Sequence, residues 1–382
     1  MKMLIRTVRS KKQAALSLLK HAQKHPPACP CHGCTGKAVG AGLKSAASTM
    51  LAQRAFGASR NAVEADYAFE MSFSSIRYGL GVTREVGYDF KHLGADKVAL
   101  FTDKNLLDKT AVKAAVESLD SQGIKYEIYS DVIVEPKDHG IRHAIDWARQ
   151  HQPNAYLAVG GGSVMDTAKI ANLFQTYPEA DLMDFVNAPV GKGMPVERQV
   201  FPLIAVPTTA GTGSETTGTA IFDLTSQKSK TGIASRAIKP ILGMVDPLNA
   251  STMPASVKAS SGLDVLCHAL ESYTTIPYNQ RTPRPKDPIL RPAYQGANPI
   301  SDIFCTAAMK LIVEYLPRSV KDPEDFVAQE QTVLAATLAG ICLNNSGVHL
   351  AHGLSYPLSS QNKGYKHYGY EVDHPIIPHG VT

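Results

Sequence analysis

AYLAVGGGSVMDTAK, residues 155–169, changes character at its midpoint. Ala155–Val159 is a short, mostly apolar run, the pattern of a strand buried on both faces. Gly160, Gly161 and Gly162 interrupt it, and from Ser163 to Gln175 apolar residues return at helical spacing. A strand that passes through glycines into a helix places free backbone amides at a helix N-terminus, where they can cradle a pyrophosphate. Glycine suits this position because any Cβ would hold the backbone away from the ligand. Asp166, in the first helical turn, reads either as part of that site or as a cap.

The same alternation continues on both sides. Lys97–Thr102, Tyr126–Ser130, Leu203–Val206 and Leu242–Val245 read as strands. Leu107–Gln122 reads as a helix with Val112, Ala115, Val116 and Leu119 on one face, and His139–Gln150 as another with Ile141, Ala144, Ile145 and Ala148. Strands separated by helices of this length predict a parallel sheet with helical crossovers. After Asp246 the strands stop. Ala255–Tyr273, Asp302–Tyr315 and Ala328–Asn344 are Ala- and Leu-rich and read as helices, with a proline-rich loop over 276–300 between the first two. The expectation is α/β plus all-α: a Rossmann-like, doubly wound N-terminal domain over 61–247 and a helical domain over 248–382.

The 382 residues are 44% apolar and 19% charged, an ordinary globular balance that excludes a mainly disordered chain. No run of 18 or more apolar residues marks a membrane span. Six cysteines are too few for a disulfide scaffold. The net charge of +5 is unevenly spread. Residues 1–63 hold 11 Lys/Arg and no acid, which leaves 28 of the 39 basic residues against all 34 acids and a charge of −6 on the rest. The alkaline balance therefore belongs to the leader, and nucleic-acid or membrane binding is not expected of the body. An acid-free, basic, amphipathic start over 1–60 predicts a mitochondrial transit peptide and a matrix location. Within it Cys29, Cys31, His32 and Cys34 form a dense metal-like cluster with no second cluster nearby.

Four further stretches bear on chemistry. Asp103 ends the first strand of the body, where a carboxylate can meet a ribose hydroxyl or simply cap the next helix. PTTAGTGSE (207–215) follows another strand and offers hydroxyls on Thr208, Thr209, Thr212 and Ser214 between small residues, a composition suited to a ligand loop. Gly79-Leu-Gly81 lacks the third glycine of a dinucleotide fingerprint and reads equally as a turn. In GLDVLCHALE (262–271), Asp264 and His268 share one helix face. With His352 and His379 they make a three-imidazole, one-carboxylate set suited to Fe²⁺ or Zn²⁺. Glu271, His349, His367 and His374 compete for membership, whereas Cys267 points about 100° away from His268.

GGGSVMDTAK (160–169), PTTAGTGSE, GLDVLCHALE, AHGLSYPL (351–358) and PHG (378–380) occur in the order seen in iron-containing alcohol dehydrogenases. The chain resembles that family from about residue 73 to its end. The resemblance implies that Asp264, His268, His352 and His379 are metal ligands. It implies that Gly161, Gly162, Ser163, Asp166, Thr208, Thr209, Thr212 and Lys230 hold NAD, with Asp103 on the adenosine ribose. It implies a site in the cleft between a doubly wound domain and a helical one. The leader, the proline-rich insertion and the stretch between His352 and His379 are similar to a mitochondrial branch whose NAD stays bound. That branch passes hydride from 4-hydroxybutanoate to 2-oxoglutarate, giving succinate semialdehyde and 2-hydroxyglutarate.

Two features depart from the family pattern. Tyr356 stands where many alcohol-oxidising relatives have a second histidine, so a proton relay there would use the phenol or a water. The chain stops at Thr382 where relatives run on, so the helical domain is expected to be cut short. The substrates implied are small anions, and Arg281, Arg284, Lys286 and Arg291 of the insertion are candidates to receive their carboxylates or are simply a solvated loop. The alternatives are a dehydrogenase or reductase that releases its cofactor and an inactive metal- or nucleotide-binding isoform. The oligomeric state, including a homo-oligomer, is left open.

Overall fold

A computed structural model describes residues 64–382 apart from 371 and 373. The transit peptide expected over 1–60 and the cluster at Cys29, Cys31, His32 and Cys34 lie outside the described residues. The described residues belong to one compact unit.

Six parallel strands form the central sheet: β1 (Ser75–Tyr78), β2 (Lys97–Phe101), β3 (Lys125–Tyr129), β4 (Ala155–Gly160), β5 (Leu203–Pro207) and β8 (Leu242–Val245), in the order β1-β8-β5-β4-β2-β3. The pair β6 (Thr219–Leu224) and β7 (Ser229–Ala234) is a separate antiparallel hairpin. The strand period of two sorts the side chains between faces. Val98, Leu100, Leu157, Val159, Ile204 and Val206 pack against α1 (Val86–His92) and α2 (Thr110–Ser121). Ala99, Phe101, Tyr156, Ala158, Leu203 and Ala205 pack on the other face against α3 (Asp138–His151) and α4 (Gly162–Thr176). A strand buried on both faces has no polar side to show, which is why β4 reads as a continuous apolar run.

The crossover after β2 leads outward to β3, and the crossover after β4 leads the other way to β5. The carboxyl ends of β2 and β4 therefore flank the point where the winding reverses, the usual ligand position in an open α/β sheet. Asp103 and the glycines 160–162 stand at those two ends.

A four-residue helix, α5 (Leu182–Phe185), precedes β5. Beyond the sheet, α6 (Ala255–Thr274), α7 (Pro299–Lys321) and α8 (Phe326–Ser346) pack through Val265, Ala269, Ala308, Ile312, Val333, Ala336 and Ala339. Gly262 admits Leu316: a Cβ at residue 262 would sit 2.2 Å from its Cδ1. α8 is long and apolar enough to cross a membrane, but most of that apolar stretch is buried inside the fold. The last helix is α9 (Leu350–Ser360).

The expected strands and helices of the body appear with their ends shifted by at most six residues, the largest shift being the longer α7. β1, α1, α5, the hairpin and α9 were not expected. β1 is only four residues long and partly exposed. α9 continues through Gly353 and Pro357, two residues that disfavour a helix interior. Gly81 has φ of +80° and donates its N–H to Asp246 Oδ1, so Gly79–Gly81 is a turn docked on the end of β8.

Candidate metal centre and cofactor cleft

Asp264 and His268 are one turn apart on α6, His352 is in the first turn of α9, and His379 opens the final turn of the chain. His352 thus follows α8 and lies within a further helix of its own. The structure brings all four together, each offering one ligand atom, and these atoms lie within 4.8 Å of one another. Asp264 Oδ1 is 3.5 Å from His268 Nε2, 3.7 Å from His352 Nε2 and 3.7 Å from His379 Nε2. These separations are too long for good hydrogen bonds. Ligands around one divalent ion at about 2.1 Å sit about 3.4 Å from each other in tetrahedral geometry, close to what is found.

The electrostatics agree with that fit. Asp264, His268 and His352 are buried, and His379 is half-buried. His352 Nε2, 3.7 Å from Asp264 Oδ1, is buried and has no hydrogen-bond partner, a costly condition unless something else satisfies it. Burial pushes His268 down to about 4, with Asp264 acting against the shift. Burial lowers His379 as well. Burial alone would raise the Asp264 carboxyl, but the imidazoles of His268, His379 and His352 outweigh it and hold the group below its ordinary value. A buried carboxylate facing neutral imidazole nitrogens is the donor set a divalent cation needs.

His379 reaches the cluster because Gly380 lets the last turn lie on α6. A Cβ at residue 380 would stand 1.8 Å from Ser260 O and 3.0 Å from Asp264 N. Tyr356, one turn after His352, places its ring 6.0 Å from that of His379, and burial pushes its phenol well above the ordinary range. The competitors are engaged elsewhere. His349 Nε2 meets Thr274 Oγ1 at 2.9 Å, His367 Nδ1 meets Tyr365 Oη at 2.9 Å, and His374 Nε2 meets Val134 O at 3.1 Å. Glu271 pairs with His352 Nδ1.

The four residues line one side of a cleft with about 800 Å³ of open space. Gly162, Ser163, Asp166, Thr212, Lys230 and Tyr356 line it too. Gly161 is the N-cap of α4 and no side chain caps the opening turn; Val164 N–H bonds Gly161 O at 3.1 Å, and the amides of Gly162 and Ser163 are the ones placed to receive a ligand. A Cβ at Gly162 would lie 2.7 Å from Thr212 Cγ2, which shows how tightly the two loops close on each other. Lys230 stands 3.5 Å from Glu135 and 3.6 Å from Asp223.

Other expected cofactor residues stand back from the cleft wall. Thr208 is buried and its N–H bonds Gly160 O at 3.0 Å. Thr209 lies under Gly161, its Cγ2 3.2 Å from where a Cβ would be. Asp103 accepts the N–H of Asn105 at 2.8 Å in a turn that precedes α2, whose N-cap is Lys109, so it does not cap that helix; burial raises its carboxyl. Asp166 uses both oxygens inside the chain, accepting from Ser214 Oγ at 2.6 Å and Ile221 N at 2.9 Å. It thereby ties α4 to the 207–215 loop and to the hairpin.

Sequence reading missed Lys169, which organises the same region. Its Nζ is fully buried and donates to Ser214 O (2.8 Å), Ser214 Oγ (2.6 Å) and Thr219 O (2.8 Å). Burial lowers it to about 8, opposed by Asp166 and Glu215. It also missed Tyr294, a cleft-lining phenol from the proline-rich insertion whose Oη lies 2.9 Å from Thr219 Oγ1. The basic residues of that insertion do not line the cleft. Arg291 forms a two-bond ion pair with Asp66 at 2.9 and 3.0 Å, and Arg284 lies over the Tyr67 ring. Arg281, Arg284, Lys286 and Arg291 therefore do not receive a substrate carboxylate within this cleft.

Comparison with known proteins gives the same picture. Residues 74–247 match the family model described as iron-containing alcohol dehydrogenase, and 293–364 match the C-terminal model of that family. The chain is 52% identical over 366 residues to a Mus musculus protein named hydroxyacid-oxoacid transhydrogenase, mitochondrial, covering 96% of this chain and 75% of the mouse protein. The Homo sapiens protein of the same name is 51% identical over 365 residues, with the same coverage of 96% and 75%. Among solved structures, a 1,3-propanediol oxidoreductase superposes with a TM-score of 0.69 at 28% identity, covering 82% of this chain and 72% of its own. A sulfoacetaldehyde reductase from Bifidobacterium kashiwanohense in complex with NAD⁺ superposes with a TM-score of 0.66 at 26% identity, covering 83% and 73%. Sequence, fold and the relatives agree that the chain belongs to the iron-containing alcohol dehydrogenase family.

Proposed function

We propose that this chain is a metal-dependent hydroxyacid–oxoacid transhydrogenase. It passes hydride from 4-hydroxybutanoate to 2-oxoglutarate through a nicotinamide cofactor that stays in the cleft, giving succinate semialdehyde and 2-hydroxyglutarate. The observation that carries the reading is the sharing of one cleft by the Asp264/His268/His352/His379 cluster and the open N-terminus of α4. The names of the mouse and human relatives support the choice of substrates.

In this reading Asp264, His268, His352 and His379 hold one Fe²⁺ or Zn²⁺. Gly162, Ser163, Asp166, Thr212 and Lys230 line the cofactor side, backed by Gly161, Thr208 and Thr209, with Asp103 at the neighbouring strand end. The metal supplies Lewis acidity toward a hydroxyl and the nicotinamide accepts or donates hydride.

The chain's own residues do the rest. His268 stays neutral at physiological pH, so a ring lone pair remains available. Asp264 stays ionised. The first amides of α4 receive the pyrophosphate, and Lys230 is a cleft cation for anionic groups. The raised Tyr356 phenol keeps its proton and can donate a hydrogen bond toward a substrate oxygen. Leu343 and Val348 give the cleft apolar wall that keeps water from the reacting carbon. The α/β part over 61–247 carries the cofactor and the helical part over 248–382 carries the metal. The basic leader and the mitochondrial relatives support a matrix location.

The test is to incubate the purified protein with 4-hydroxybutanoate and 2-oxoglutarate without added nucleotide. Equal amounts of succinate semialdehyde and 2-hydroxyglutarate are expected. Steady turnover of 4-hydroxybutanoate with free NAD⁺ and no oxoacid would instead mark a dehydrogenase that releases its cofactor. No product under either condition would mark an inactive form.

A further inference from the structure

Glu271 lies one turn beyond His268 on α6 and is 4% exposed, yet it is not among the four clustered ligands. Its Oε1 accepts the backbone N–H of His349 at 3.1 Å and of Ala351 at 2.8 Å. Its Oε2 meets His352 Nδ1 and accepts the His352 N–H at 3.4 Å. His349, at the N-cap of α9, makes no side-chain cap bond. A carboxylate from a different helix therefore satisfies the open amides at this terminus, where negative charge is also favourable.

The same contact decides the state of the His352 ring. An ionised carboxylate can only accept, so Nδ1 must carry the hydrogen. The neutral ring then has its lone pair on Nε2, the atom that is buried without a partner and lies 3.7 Å from Asp264 Oδ1.

We propose that Glu271 is a positioning residue of the metal centre. It docks the first turn of α9 and locks His352 in its Nδ1–H form, so that Nε2 faces the ion. This rests on reading the four-residue cluster as a metal site. Glu271 is not itself a ligand, because both of its oxygens are engaged by α9. Glu271→Gln keeps the length but presents an NH₂ group to amide donors, and its one carbonyl oxygen cannot serve both the helix and the imidazole. Loss of such a partner typically weakens metal binding about 10–100-fold.

The experiment uses the full-length chain with its metal removed. Zn²⁺ is titrated against a chelator of known affinity into wild type, Glu271→Gln and Glu271→Asp, following the zinc equivalent that His268→Ala abolishes. Circular dichroism reports folding, and ¹⁵N NMR of the metal-free wild type reports the His352 tautomer. The expected results are an Nδ1–H tautomer, a folded Glu271→Gln variant with zinc affinity lowered about 10–100-fold, and partial recovery in Glu271→Asp. A folded Glu271→Gln variant with wild-type affinity, or an Nε2–H tautomer in wild type, would overturn the proposal. If Glu271→Gln does not fold, the tautomer and Glu271→Asp decide. A wild type with no zinc equivalent sensitive to His268→Ala would overturn the metal reading, and this inference with it.

Discussion

Asp264 Oδ1 and His379 Nε2 lie 3.7 Å apart, one from the long helix α6 and the other from the last turn of the chain. Nothing in their local sequence pairs them. The contact exists because Gly380 allows the terminal turn to press onto the α6 backbone at Ser260. The candidate metal site is therefore closed by a backbone fit as much as by its ligands.

Gly380→Ala tests that fit. The added Cβ would meet the Ser260 carbonyl oxygen, which no rotamer can relieve. Such overpacking costs about 1–3 kcal/mol. Thermal unfolding should shift down, and zinc titration should show weaker binding although every ligand is retained.

Tyr356 should separate chemistry from metal binding. It lines the cleft and keeps its phenol proton, but it is not among the clustered ligands. Tyr356→Phe should retain metal affinity while the hydride-transfer rate falls about 100-fold, the lower end for loss of a hydrogen-bond donor to a substrate oxygen. Tyr356→His should restore much of the rate. Single-turnover kinetics beside a metal titration checks both.

The metal-free protein should lose stability as the pH falls from about 6.5 toward about 4. His268 titrates near 4 when folded because of burial and near 6.5 when unfolded. Between these values the unfolded chain binds more protons, so stability rises with pH across the window and drops on acidification. His379 is lowered too and adds in the same direction. Asp264 is held below its ordinary value, so its contribution is lost only at lower pH. The His268 share alone is roughly 3 kcal/mol by linkage. Urea unfolding of the metal-free chain at stepped pH measures it, and a stability flat across pH 4–6.5 would contradict the burial argument.

Lys169→Met should destabilise the fold by about 3–5 kcal/mol, the range for removing one partner of a buried ion pair. Lys169 Nζ is 3.7 Å from Asp166 Oδ1 and holds Ser214 and Thr219. The 207–215 loop should loosen, and bound nicotinamide nucleotide should be lost more readily. Chemical denaturation with nucleotide retention measured by mass spectrometry tests it.

Much of the α/β half was legible because its signals are local. The apolar run 155–159, the glycines 160–162 and the helical stripe after Ser163 each announce themselves within a few residues. The hairpin and α9 were not legible for the opposite reason. Pro357 and Gly353 argue against a helix, and tertiary packing carries α9 through them. The metal ligands could be picked by residue type only with competitors beside them, since no pattern within one segment separates His352 from His349 or His374; the order of the family motifs is what singled out the four. Glu271 looked like a competing ligand because it shares the α6 face with Asp264. Its partners, the first amides of α9, come from a helix the sequence did not reveal. Lys169 was overlooked because a lysine in a helix usually faces solvent, and here the 207–215 loop folds over it. The Pro-rich insertion misled in its charges and concealed its useful residue, Tyr294.

The most direct test of the account is zinc stoichiometry by equilibrium dialysis and elemental analysis, on wild type and on Asp264→Ala, His268→Ala, His352→Ala and His379→Ala. The account predicts one tightly held equivalent per chain that each of the four substitutions removes or weakens by more than the roughly 10–100-fold of a lost outer partner. The same tight equivalent persisting unchanged in folded forms of all four would contradict it.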